Sequence, residues 1–265
     1  MVSRFALVVV VVAAAASVLV LGVAPSSRAA PSSEIVGITG LGSGANESWV
    51  FAAGKARSIV IFLHERGDAI PQKYLGWLDH LALEDSAVVF PRYESAASRT
   101  PEQILRAVRT AVTTAERHLA GLPATGFGGG PTKGVPVVVV GYSYGATLAF
   151  YVAANSTRWG LPRPNAVVSI FPRPGRFPGV TLPPLARSTR VLVQVGDADT
   201  ASGKAAARDL WRAIDRHPVS RKRLVTVRSV GAFRADHRAP LRTTSRALDA
   251  FWAPLDQIIY DLRGG

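Results

Sequence analysis

Apolar residues in this chain gather into short β-branched runs separated by amphipathic or glycine-rich stretches. Ser58–Leu63 (SIVIFL), Ala87–Phe90, Val137–Val140, Ala166–Ile170 (AVVSI), Arg190–Val195 (RVLVQV) and Leu224–Val230 read as strands. The four valines after Pro136 show no polar alternation, the pattern of a strand buried on both faces. Between these runs, spacing predicts helices over Pro71–Glu84, Pro101–Leu119, Ala146–Ala154, Ser202–Ile214 and Leu241–Tyr260. Thr100 is placed to cap the second helix, with Pro101 at its first position and Glu102 following. Trp49–Ala53 reads as an early strand, and Pro31–Ser48 as an extended polar lead-in. Phe171–Arg187 is rich in proline and arginine and lacks periodicity. Strands alternating with helices predict an α/β domain, with a mostly parallel, doubly wound sheet and helices on both faces.

The N-terminus has a different pattern. Arg4 precedes an almost unbroken apolar run, Phe5–Ala24, and Ser27-Arg28-Ala29 offers small residues at the two positions a signal peptidase reads. Residues 1–29 therefore read as a secretory signal, cleaved after Ala29 or Ala30. The run is also long enough for the alternative, a retained N-terminal membrane anchor. Either reading places the domain 30–265 outside the cytoplasmic membrane, secreted or in the cell envelope.

Composition narrows the chemistry. Cysteine is absent from all 265 residues, which excludes disulfides, thiolate catalysis and cysteine-based metal sites. The net charge of +13 favours an anionic membrane or cell-wall surface as a contact. The basic residues are scattered, with no basic helical stripe and no aromatic–basic repeat, so nucleic acid is not an expected partner. A solvated basic surface is the simpler reading.

Gly141-Tyr142-Ser143-Tyr144-Gly145 breaks the valine run immediately before a helix-forming stretch. A sharp strand-to-helix turn needs glycines at its flanks, because neighbouring chains pass close by. It lifts the serine hydroxyl above the carboxyl end of the strand, where the first helix amides also point. The plainer reading is a glycine-rich turn in which Ser143 only caps the helix.

A serine nucleophile requires a base and an acid that orients the base. Of the five histidines, His80 and His118 fall on expected helices and His217 at a helix end. His237, in GAFRADHRAP after the last strand, emerges at the same sheet edge as Ser143 and is the expected base. Two aspartates follow RVLVQVG. Asp199 is the preferred acid and Asp197 the alternative, the other serving as a turn or cap. Asp236 adjoins His237 in sequence and is poorly placed to meet it side chain to side chain.

With the order Ser143, Asp199, His237 in view, the chain resembles the α/β-hydrolases. GYSYG resembles their nucleophile elbow, GDAD the strand-end acid turn, ADHRAP the histidine loop and LHERG the oxyanion turn. PQKYLGWLDHLALEDSAVVFPRY is similar to the segment after that turn in exported bacterial members. The resemblance spans about residues 47–260. It implies a Ser-His-Asp hydrolase acting on small-molecule or lipid esters, without metal or cofactor. It also implies oxyanion donation by the amides of Tyr144 and Arg66, with the Glu65 amide as alternative. Glu65 stands where the family usually has glycine, and it is expected to pair with Arg66 or another arginine and face solvent. No large cap domain is encoded. Two other uses of the fold remain: an inactive hydrolase fold acting as a cell-surface binding module, and an acyltransferase or peroxidase-like use of the same triad.

Overall fold

The computed structural model describes residues 36–54, 56–94, 100–121, 134–173, 182–202 and 204–264. The expected signal segment, the glycine-rich stretch 122–133 and residues 174–181 of the proline- and arginine-rich stretch lie outside these residues.

Eight strands form one sheet: β1 (Gly37–Leu41), β2 (Ser48–Ala52), β3 (Ser58–Leu63), β4 (Ser86–Pro91), β5 (Val137–Tyr142), β6 (Ala166–Ile170), β7 (Arg190–Gly196) and β8 (Lys222–Val227). Their spatial order is β1-β2-β4-β3-β5-β6-β7-β8. β1–β2 and β2–β4 pair antiparallel, and every other pair is parallel. The valine run is central: Val139 is in register with Ile61 on one side and Val167 on the other. All of β5 is buried, which explains its lack of alternation.

Alternate side chains of these strands enter two cores. Ile59, Ile61, Val137, Val139 and Val193 pack against α2 (Pro101–Gly121), α3 (Tyr144–Asn155) and α4 (Ala205–Ala213). Val60, Phe62, Val138, Val140 and Leu192 pack on the opposite face with α1 (Leu75–Leu83) and the C-terminal helices. The expected cap on α2 is a reciprocal box. The Gln103 amide donates to Thr100 Oγ1 at 3.3 Å, and the Thr100 amide donates to Gln103 Oε1 at 2.8 Å.

Three elements differ from the sequence reading. β1 lies within the lead-in read as extended but not as a strand; four of its five residues are exposed, so no apolar pattern announces it. β8 starts at Lys222 and ends at Val227, and Val230 forms only an isolated bridge with Phe233. The last helix is not continuous. A short α5 (Ser245–Ala247) enters a π-helical turn, Leu248–Trp252, before α6 (Ala253–Leu262). Pro254 has no amide to offer the carbonyl four residues back. That carbonyl, on Ala250, instead accepts from Gln194 Nε2 of β7 at 2.8 Å. No helix among the described residues is long and apolar enough to cross a membrane.

Candidate active site

The turn between β5 and α3 forces Ser143 into a conformation with φ 57° and ψ −114°, a region a non-glycine residue rarely occupies. Such strain persists only where the surroundings over-determine it. Here the Ser143 amide donates to Ile170 O at 2.9 Å, and its carbonyl accepts from the Ala146 and Arg173 amides at 3.1 and 3.2 Å. The flanking glycines are steric necessities. A Cβ on Gly141 would lie 2.0 Å from Gly145 O, and one on Gly145 would lie 2.2 Å from Leu63 O.

Ser143 Oγ lies 3.0 Å from His237 Nε2. The opposite ring nitrogen, Nδ1, faces Asp199 at 3.2 Å to Oδ1 and 3.3 Å to Oδ2. Asp199 Oδ1 also accepts from the Ala201 and Ser202 amides at 2.9 and 3.1 Å, so the aspartate both closes its own turn and meets the imidazole. His237 is held by groups that sequence reasoning did not find. Tyr142 Oη donates to its carbonyl at 2.5 Å, and the rings of Tyr142 and Phe171 stack against its imidazole at 5.2 and 5.9 Å. Phe171 itself has a positive φ of 54°. Ser202 Oγ donates to Phe171 O at 3.0 Å and lies 3.4 Å from His237 Nδ1. Tyr142 stands inside the GYSYG motif and was legible as a neighbour of Ser143; Phe171 and Ser202 carried no local signal.

The remaining candidates go elsewhere. Asp197 accepts from the Ser229 amide at 3.0 Å and from its hydroxyl at 2.5 Å. Asp236 pairs with Arg242 at 2.7 Å. His80 pairs with Asp256, and His217 Nε2 donates to Thr189 O at 2.7 Å.

Glu65 departs from its expected setting. Its side chain is 15% exposed rather than turned to solvent. Oε1 pairs with Lys73, which also holds Asp68 at 2.5 Å. Oε2 lies 3.7 Å from His237 Nε2. The Glu65 amide, the alternative oxyanion donor, is taken: it donates to Tyr74 Oη at 3.0 Å. Arg66 pairs not with Glu65 but with Glu94, at 3.8 Å, and its guanidinium lies 5.6 Å from the centre of the Tyr144 ring. This contact ties the 64–67 turn to the start of α3. His64 is fully buried against Tyr93, donates from Nδ1 to Glu65 O at 2.6 Å, and is pushed down to about 4 by burial.

Electrostatics around His237 follow from this geometry. Burial alone would lower its pKa. The carboxylate of Asp199, hydrogen-bonded to the ring, and the nearby carboxylate of Glu65 outweigh burial and raise it to about 9. Burial would likewise raise Glu65, but contacts to His237 and Lys73 hold it down, at about 2. Asp199 is lowered in the same way, by His237 and the two turn amides acting against burial. No cluster of histidine and carboxylate groups that could hold a metal ion occurs among the described residues.

Solved structures resemble this arrangement of elements. Esterase B from Lactobacillus rhamnosis superposes with a TM-score of 0.64 at 14% identity, over 86% of this chain and 86% of that one. Carboxyl esterase 2 from the mycorrhizal fungus Tuber melanosporum gives 0.62 at 16% identity, covering 89% of each chain. An α/β-hydrolase enzyme from a Medee basin deep-sea metagenome library gives 0.59 at 15% identity, over 87% of this chain and 99% of the other. The chain thus has the α/β-hydrolase fold. No family model matches the sequence, and no curated protein matches it.

Proposed function

We propose that this chain is a serine hydrolase of carboxylic or related acyl esters, with Ser143 as nucleophile, His237 as base and Asp199 as the orienting acid. The observation that carries this reading is the strained serine whose Oγ lies 3.0 Å from an imidazole held on its other side by a carboxylate. In the proposed reaction Ser143 Oγ attacks the ester carbonyl carbon while His237 Nε2 takes its proton. The amides of Tyr144 and Arg66 receive the developing oxyanion. Tyr144 supports this as the first residue of α3, at the positive end of the helix dipole. The alcohol leaves with the proton from Nε2, giving an acyl-serine. Water, deprotonated by His237, then releases the acid. The esterases among the structural neighbours support an ester as substrate.

A fluorophosphonate probe tests the reading. It should label the purified chain on Ser143 alone, as mapped by peptide mass spectrometry, and block turnover of a short-chain nitrophenyl ester. Labelling at another serine, or none, overturns the assignment. Export to the cell envelope or beyond belongs to the same proposal and rests on residues 1–29. Fractionation of the producing cells, with N-terminal sequencing, decides between cleavage after Ala29 or Ala30 and a retained anchor.

A further inference from the structure

A subset of the arginines that scatter along the sequence comes together beside one strand. On β8, the edge of the sheet, Arg223, Val225 and Val227 are in register with Leu192, Gln194 and Gly196 of β7 and share one face. α6 covers only part of that face. What remains is a groove of about 930 Å³ between the two strands and the π-helical turn, at the upper end of the volumes typical of ligand sites. Leu192, Val225, Val227 and Ile258 give it apolar lining.

Six cationic and two acidic side chains line the groove. Arg190 is engaged with Asp261 at 2.8 Å, and Lys222 caps the Ile214 and Asp215 carbonyls. Four arginines, Arg221, Arg223, Arg228 and Arg246, are exposed, and Asp249 is the remaining acid. Large apolar residues sit bare just beyond both ends of the strand: Val219 is 83% exposed and Val230 is 56% exposed. Ser143, Asp199 and His237 do not line the groove.

We propose that this β8 edge docks on an anionic lipid bilayer, the arginines against headgroup phosphates, and Val219 and Val230 entering the interface. Charge selects the occupant. A second copy would bring the same cations face to face and be repelled. A hydrophilic polyanion would satisfy the arginines but leave the apolar lining and the two valines in water. An anionic membrane surface answers both features, since basic residues and shallow apolar insertion act together there. The proposal is independent of the ester-hydrolase reading.

The test uses the full chain and vesicles of phosphatidylcholine alone or mixed equally with phosphatidylglycerol. Each basic residue near such a surface contributes about fivefold in partitioning. Arg221→Gln/Arg223→Gln/Arg228→Gln/Arg246→Gln should therefore lower binding to the anionic vesicles by about 10²-fold or more. Arg106→Gln/Arg109→Gln/Arg117→Gln/Arg158→Gln, an equal charge loss on another exposed surface, should lower it less than about tenfold. Equal losses overturn the proposal, as does binding indifferent to phosphatidylglycerol. Groove-dependent binding to single-stranded RNA, tighter than to the vesicles, also overturns it.

A second measurement does not depend on the quadruple variant folding, nor on what the N-terminal segment does. The chain has no cysteine, so Val219→Cys or Val230→Cys accepts a single polarity-sensitive dye. Its emission should shift to the blue on anionic vesicles only, while the same dye at Arg109→Cys should not move. A shift at position 109, or none at 219 and 230, refutes the orientation.

Discussion

Glu65 Oε2 lies 3.7 Å from His237 Nε2, the same nitrogen that faces Ser143 Oγ. The imidazole therefore has a carboxylate beside each ring nitrogen, Asp199 at Nδ1 and Glu65 at Nε2. The second favours the protonated ring, which cannot accept the serine proton. The Glu65→Gln variant measures what that arrangement does to turnover. In the wild type, kcat/KM for a neutral ester should rise with pH through about 9, as His237 loses its proton. An opposite charge at this range shifts a pKa by about one to three units. Removing the Glu65 charge should move the ascending limb down by about one unit or more and raise the rate at neutral pH. An unmoved limb would show that Glu65 is electrostatically silent; loss of activity would show that its carboxylate is needed, through Lys73 or the substrate.

Stability should carry the same signature. His237 is raised from 6.5 to about 9 in the folded state. A raised pKa adds stability that is fully present below about pH 6.5 and is lost as pH climbs through 9. Melting temperature should fall across that window, and the fall should be shallower in His237→Gln. Parallel slopes in the two proteins would assign the loss to other groups.

Ser143→Ala should leave the fold intact and remove ester turnover by a factor on the order of 10⁴ to 10⁶. Circular dichroism and steady-state kinetics on the same preparation check both halves.

The two aspartates of the β7 turn should separate cleanly. Asp199→Asn should cut turnover by about 10⁴, because the amide can no longer hold His237 in the required tautomer. Among the described residues the Asp197 side chain hydrogen-bonds to Ser229, and it is exposed, so Asp197→Asn should cost less than about tenfold. The reverse ranking would move the acid role to Asp197.

Gly196 supports the histidine loop from below. A Cβ there would lie 1.9 Å from Ala235 O, two residues before His237, and 2.9 Å from the Phe171 ring. Gly196→Ala should lower Tm by about 5 °C or more and depress kcat beyond what instability explains. A variant with unchanged Tm and turnover would show that the loop yields freely.

The central frame was legible because β3, β5, β6 and β7 are buried on both faces and leave unbroken apolar runs. The serine turn was legible because its glycines are sterically required. β1 was not, since a mostly exposed edge strand is specified by its partner's backbone rather than by side-chain pattern. The break at Pro254 was visible as a residue, but its remedy was not: Gln194 donates to the carbonyl from 56 residues away. Glu65 misled for the same reason. Its partners are Lys73, one helical element on, and His237 at the far end of the chain. Only the assembled sheet edge brings the three together.

Ser143 has a further consequence, this time for descent. Its φ of 57° would suit glycine better, and such a conformation costs roughly 1–3 kcal/mol when a side chain holds it. In a lineage that no longer needed the hydroxyl, Ser143→Gly would raise stability as it ended catalysis. Selection for a sturdier fold alone would therefore favour that replacement, so the gain in stability and the loss of the hydroxyl are expected together.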